Sequence, residues 1–245
     1  MNKVIIVIPA RYGSTRFPGK PLQLINGKPM IYWTYQQALK VKNADSVIVA
    51  TENKLIVDKC KDYDIPVVLT SDKHQTGTDR IAEVALTFDA DIYVNIQGDE
   101  PLIEPNVVEE LIKFMKENTD YICSTIKSKI DNPIDAINNT VSKVVTDLQD
   151  NIMYISRQPM PYPRSSLDFV YYKALGIYAF RKSALEIYRN NSKGPCELAE
   201  DIELLRLVER GVKIHDLLVE SNSPSVDTPK DLLRVENILK KIKEY

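Results

Sequence analysis

The stretch "VIIVIPARYGSTRFPGKPL", Val4 to Leu22, sets five consecutive aliphatic β-branched residues against a loop carrying Arg11, Arg16 and Lys20 among two glycines and three prolines. So short an apolar run, stopped by Pro9, reads as a strand buried on both faces. Working outward, similar runs recur at helix-sized intervals: "VIVAT" at 47–51, "VVLT" at 67–70 and "IYVNI" at 92–96. Between them lie 30–41, 53–62 and 79–88, whose apolar positions fall at helical spacing. Strands apolar on both faces and separated by helices predict an α/β fold. Its sheet would be mostly parallel with helices on both faces, and ligands would bind outside the carboxyl ends of the strands.

From about residue 121 the rhythm changes. Strand-like segments follow at 121–126, 141–147, 152–156 and 169–180, with the turn-rich "RQPMPYPRSS" between the last two, and helical patterns return at 182–190, 197–210 and 228–243. The expectation is one structural unit over 1–245, with a smaller β-rich lobe at about 121–190 that serves sugar binding or an oligomer contact. No internal repeat or low-complexity linker divides the chain.

Composition narrows the class. With 44% hydrophobic and 27% charged residues over 245 positions, the chain is that of a folded globular protein. Net charge is −2, yet residues 1–44 hold seven Lys/Arg and no Asp or Glu, so the remainder carries 25 basic against 34 acidic residues. A local anion site fits this better than a nucleic-acid-binding surface. Cys60, Cys123 and Cys196 are widely spaced and His74 and His215 stand alone, so no zinc motif assembles and a reducing cytoplasm is expected. The apolar run after Met1 is too short for a secretory signal, and no stretch is long enough to span a membrane.

Four segments carry chemistry. In the opening loop Gly13 and Gly19 are one residue too far apart for a P-loop, and Lys20 is followed by Pro21 where a metal-binding hydroxyl is required. No GxGxxG is present either. What remains is glycine-permitted approach of backbone N–H groups to phosphate, with cations to neutralise it, against the alternative of a solvated basic loop. "NIQGDEP", 95–101, puts Asp99 and Glu100 just past an apolar strand, able to hold Mg²⁺ against phosphate or simply to form an acidic turn before a helix starting near Pro105. "HQTGTDR", 74–80, reads as a helix start with Thr78 as N-cap, or as a base-recognising loop. "VDTPKDL", 226–232, places Asp227 before a helix with proline in its first turn, as a cap or a second metal ligand.

Taken in this order and spacing, these four segments closely resemble the CMP-KDO synthetase family, the 3-deoxy-manno-octulosonate cytidylyltransferases. "SKVVTD", "YISRQPMPY" and "LGIYAFR" extend the likeness over nearly the whole chain. The resemblance implies a Rossmann-like nucleotidyltransferase fold, usually homodimeric. Its members join CTP to an eight-carbon sugar acid with release of pyrophosphate, for lipopolysaccharide or capsule. Carried over, Arg11, Arg16 and Lys20 would clamp the triphosphate. Ala10, Gly13, Ser14, Thr78, Arg80 and Gln97 would complete the nucleotide site, and Asp99 and Asp227 would bind Mg²⁺. Arg11, Lys20, Asp99 and Asp227 would be catalytic, and Arg157, Tyr178 and Glu203 would meet the sugar acid.

Two positions depart from the family pattern. Where "RHLGIY" is typical this chain reads "KALGIY", with Ala174, and where "EQLR" is typical it reads "ELLR", with Leu204. Both remove hydrogen-bonding groups from the expected sugar pocket, which leaves a modified acid such as the 8-amino analogue as an alternative substrate. A sugar-1-phosphate nucleotidyltransferase and a catalytically silent nucleotide-sugar binding protein are the other readings.

Overall fold

The computed structural model describes residues 2–13, 17–165, 168–221 and 223–243. The strands are β1 (Val4–Pro9), β2 (Leu24–Ile25), β3 (Lys28–Pro29), β4 (Ser46–Thr51), β5 (Val67–Leu69), β6 (Ile92–Ile96), β7 (Cys123–Lys129), β8 (Lys143–Thr146), β9 (Ile152–Ser156), β10 (Tyr172–Phe180) and β11 (Ile214–Leu218). The helices are α1 (Met30–Ala38), α2 (Lys54–Lys61), α3 (Gly77–Thr87), α4 (Pro105–Glu117), α5 (Pro133–Ile137), α6 (Lys182–Arg189), α7 (Pro195–Glu200), α8 (Leu205–Val208) and α9 (Pro229–Lys243).

β1 lies at the centre, and its alternation builds both layers. Val4, Ile6 and Ile8 enter one core with Ile31 and Tyr35 of α1, Ile56 of α2 and Leu111 and Met115 of α4. Ile5 and Val7 enter the other with Ile81 and Val84 of α3, Leu185 and Tyr188 of α6 and Leu205 of α8. Every residue of β1 is buried, which explains why the run is apolar without alternation. Each aliphatic side chain so buried contributes roughly 1.5–3 kcal/mol.

The main path of the sheet is β11-β7-β10-β6-β1-β4-β5. β10 runs antiparallel to both β6 and β7, while the other neighbours on this path are parallel, so only β10 is reversed. The β-rich stretch after residue 121 therefore does not form a sheet of its own. β7 and β10 widen the central sheet, and the β8–β9 hairpin hangs from the early part of β10 at Tyr172 and Lys173.

Three features depart from the sequence expectation. The helical pattern at 197–210 is broken into α7 and α8 by Asp201, whose φ of 51° is left-handed. β11 joins β7 although "KIHDLL" shows neither a long apolar run nor strict alternation. A second small sheet, β2–β3, turns through Asn26 and Gly27, both at positive φ as a tight hairpin requires. This hairpin shelters Val226, Val235 and Leu239, so α9 docks beside the site and not at a distant edge.

Candidate active site

The chain passes from β1 to β4 and β5 on one side, then crosses to β6 on the other, so the strand order reverses between β1 and β6. Loops leaving two parallel strands diverge at such a point and open a crevice. A cleft of about 520 Å³ lies there, lined by Pro9, Ala10 and Arg11 after β1, Gln97, Gly98 and Asp99 after β6, and Lys20, Arg80, Arg157, Glu203 and Asp227 from elsewhere. The two loops are in close contact: a Cβ on Gly98 would stand 3.0 Å from the Pro9 carbonyl oxygen, so a side chain there would force the loops apart.

The Tyr12 carbonyl accepts from the Gly19 N–H at 3.0 Å, closing the opening loop so that it delivers Lys20 back to the cleft. Nζ of Lys20 lies 2.5 Å from Asp99 Oδ2 and 3.5 Å from Asp227 Oδ1. The two acids are 128 residues apart in sequence, but the Val226 N–H donates to the Asp99 carbonyl at 2.9 Å, which locks their segments together. Of the two roles the sequence left open for Asp227, cap or metal ligand, the cap is filled by Thr228 and Asp231: the Asp231 carboxylate accepts from the Thr228 N–H and hydroxyl, and the Asp231 N–H donates back to Thr228. Beside this cluster Glu100 is held well above the usual carboxylate range by burial and then by the charges of Asp99 and Asp227.

On the β5–α3 side the N-cap is Thr76 and not Thr78: Thr76 and Asp79 form a capping box. Thr78 is wholly buried and gives its N–H and hydroxyl to Glu203, so Thr76 and Gly77 line the cleft in its place. Arg80 is also buried, its guanidinium held by Glu52, the Thr70 hydroxyl and the Ser71 carbonyl. Burial lowers the Arg80 pKa, opposed by the Glu52 and Glu83 charges. Arg11 lines the cleft, and both Arg11 and Gly13 are exposed. Ser14 and Arg16 lie outside the described residues. Sequence reasoning missed Glu52, which both pairs with Arg80 and accepts from the Tyr12 N–H at 2.9 Å. Its signal was an acid directly after the strand "VIVAT".

On the other side Arg157 spans the cleft wall. Its Nε donates to the Glu200 carbonyl at 2.7 Å, and its other nitrogens reach the carbonyls of Asn139 and Asp201. Lys143, fully buried and unsuspected from sequence, donates to the carbonyls of Asn138, Val141 and Arg157. Tyr178 does not reach this cleft. It lines a second cavity of about 540 Å³, which shares Thr140 and Asp227 with the first. Burial pushes the Tyr178 phenol upward, and the nearby Glu203 charge adds to it. Ala174 and Leu204 line this same second cavity, so the two departures from the family pattern fall together in space.

A mostly parallel α/β sheet whose switch-point cleft brings cations and two carboxylates together defines a nucleotidyltransferase-like site. The family model described as Cytidylyltransferase matches residues 5–214. The chain belongs to the cytidylyltransferase family. Among its relatives, the 3-deoxy-manno-octulosonate cytidylyltransferase of Escherichia coli is 41% identical over 239 residues, covering 98% of this chain and 97% of that protein. The enzyme of the same name from Geobacter metallireducens is 40% identical, covering 95% and 96%. A solved structure of CMP:2-keto-3-deoxy-manno-octonic acid synthetase complexed with CTP superposes with a TM-score of 0.93 at 39% identity, covering 98% of this chain and 99% of that one.

Proposed function

We propose that the protein transfers the cytidylyl group of CTP to the anomeric hydroxyl of 3-deoxy-manno-octulosonate, giving the CMP-sugar and pyrophosphate. The observation that carries this is the meeting of Lys20 with Asp99 and Asp227 at the switch-point cleft, in a chain about 40% identical to enzymes of that name over nearly its whole length. The sugar hydroxyl attacks the α-phosphorus and the bond to the pyrophosphate oxygen breaks. Charge is the main obstacle, since an anionic sugar acid approaches a tetra-anionic triphosphate. Arg11 and Lys20 answer it on the nucleotide side, joined in this proposal by Arg16, Ser14 and Gly13 of the opening loop. Ala10, Gln97 and the Thr76–Gly77 edge receive the nucleoside, with Arg80 and Thr78 supporting that wall from behind. Arg157 receives the sugar carboxylate, and the cavity bearing Tyr178, Ala174 and Leu204 takes the sugar's hydroxylated tail.

Asp99 and Asp227 would hold Mg²⁺. Two hard oxygen donors already converge on one cation, the Lys20 ammonium, and a pair of carboxylates completed by substrate phosphate is a set Mg²⁺ favours. Magnesium bound there supplies neutralising charge for the phosphates. Among the described residues no third His, Cys, Asp or Glu joins them, so phosphate oxygens and water would fill the remaining positions.

The protein is proposed to act in the cytoplasm, upstream of lipopolysaccharide or capsule assembly. No helix among the described residues is long and apolar enough to cross a membrane. A homodimer is proposed through the β-rich segment, where Ile137, Leu148, Met153 and Tyr162 are exposed. Pyrophosphate release from CTP, assayed with Mg²⁺ and a panel of ulosonic acids and sugar 1-phosphates, tests the reading. The highest kcat/KM is expected with 3-deoxy-manno-octulosonate over its 8-amino analogue, and no release with any sugar acid would overturn it.

A further inference from the structure

Lys143 opens β8, and no part of it is exposed. Its side chain turns back on the chain, and Nζ donates to the carbonyls of Asn138 at 2.9 Å, Val141 at 2.6 Å and Arg157 at 2.5 Å. Three acceptors call for three N–H donors, which lysine carries only as the ammonium. Burial and then the Arg157 charge push its pKa down, and the Glu200 charge pushes it back up. Enclosing a charge is costly unless its donors are matched, and here all three are.

The owners of those carbonyls give the lysine a role. Asn138 and Val141 bracket Asn139 and Thr140, which line the cleft together with Arg157. The Arg157 backbone is held at both ends, since its N–H donates to the Glu200 carboxylate at 2.9 Å and its carbonyl accepts from Lys143. Its guanidinium rests on the carbonyls of Glu200, Asn139 and Asp201, and Asn139 belongs to the loop that Lys143 ties down. Among the described residues the guanidinium meets carbonyls and no carboxylate, so its charge is left for an anion in the cleft. Lys143 itself is enclosed behind this wall and lines neither cavity.

We propose that Lys143 is a positioning residue for the sugar-acid half of the reaction, clamping the 138–141 loop to the Arg157 backbone so that the guanidinium is held where it receives the sugar carboxylate. It acts through Arg157 and touches neither substrate. The inference rests on the transfer to a sugar acid proposed above.

Steady-state kinetics of the full-length protein with CTP, Mg²⁺ and the sugar acid it turns over best test this. Lys143→Met keeps a stem of similar length and removes all three donors. The sugar KM is expected to rise about tenfold, the scale of a lost charge-assisted hydrogen bond, with kcat and the KM for CTP within about twofold of wild type. Lys143→Gln keeps two N–H donors on a shorter neutral stem, and a smaller rise of about threefold is expected. A merely structural lysine would lower the amount of active enzyme, and so the apparent kcat, without moving the sugar KM. Because the effect passes through Arg157, adding Lys143→Met to Arg157→Met should raise the sugar KM by no more than about twofold over Arg157→Met alone.

An unchanged sugar KM in Lys143→Met, an equal rise in both KM values, or a full effect that persists without Arg157 overturns the proposal. Should Lys143→Met not fold, Lys143→Gln decides: a wild-type sugar KM there is equally contrary. Wild type that turns over beside variants of that behaviour loses only the positioning role, and the enzymatic reading stands. Wild type that releases no pyrophosphate with any sugar acid removes both.

Discussion

The Lys20 ammonium lies 2.5 Å from Asp99, a residue 79 positions away, and only 3.5 Å from Asp227 on a third segment. One cation therefore serves two carboxylates, and the cluster keeps a net negative charge. A site so balanced favours a further cation next to the acids and an anion next to the lysine.

Asp99→Asn keeps the shape of the side chain and removes the charge that the proposed Mg²⁺ site requires. Turnover should be lost across the whole range of Mg²⁺ concentration, while Lys20 keeps Asp227 as its partner and the fold stands. Pyrophosphate release measured against Mg²⁺, with a thermal unfolding curve beside it, checks this. A near wild-type rate would remove Asp99 from the metal site.

Lys20→Ala takes away the cation proposed to face the triphosphate and leaves Asp99 and Asp227 opposed without it. The loss should appear mainly in kcat, by about 10²–10³-fold, as for other lost charge-stabilising donors. A rise in the KM for CTP alone, with kcat retained, would assign Lys20 to binding and not to the chemical step.

Much of this was legible in the sequence because β1, β4 and β6 are buried almost throughout. Runs at 4–8, 47–51 and 92–96, apolar but for Thr51 and Asn95, emerged as β1, β4 and β6, and the loops that follow β1 and β6 form the cleft. What stayed hidden depends on tertiary contact. Thr78 had the composition of a cap, but Thr76 won that role by pairing with Asp79, and Thr78 was drawn to Glu203, 125 residues away. The helical periodicity of 197–210 carried no sign that Asp201 would adopt a left-handed conformation, which breaks the helix and brings Glu203 round to α3. Lys143, entirely enclosed among three carbonyls, sits in a segment that reads as a plain half-polar strand. The Asn-Gly of the β2–β3 turn was a readable hairpin signal that the flanking short strands masked.

Arg206 is the hub of a buried network. It forms a two-point pair with Glu197 at 2.7 Å, reaches Asp79 at 3.0 Å and lies over the Tyr188 ring. Arg206→Met strands Glu197, which is 1% exposed, and should cost about 3–5 kcal/mol, the penalty of an uncompensated buried charge. Urea unfolding measures it. Adding Glu197→Gln should recover part of the loss, since the stranded charge is then gone. A double variant no more stable than the single would show that packing around Tyr188 dominates.

Asp216 of β11 gives the protein a pH dependence remote from the cleft. It is fully buried, neither carboxylate oxygen has a hydrogen-bond partner among the described residues, and burial lifts its pKa from 3.8 to about 7, with Lys127 pulling it down and Asp150 pushing it up. Between pH 3.8 and about 7 the native state holds a proton that the unfolded chain has released. This contribution to stability is therefore full below the unfolded value and is lost as pH rises through that window, by up to about 1.4 kcal/mol per unit. Asp216→Asn cannot titrate, and His215 beside it is unchanged in both proteins. The stability of wild type relative to the variant should fall steadily from pH 4 to 7 and level off above it. Urea unfolding at half-unit intervals measures the difference. A difference that is flat across the window would mean that the carboxylate stays charged in the fold, satisfied by Lys127 after all.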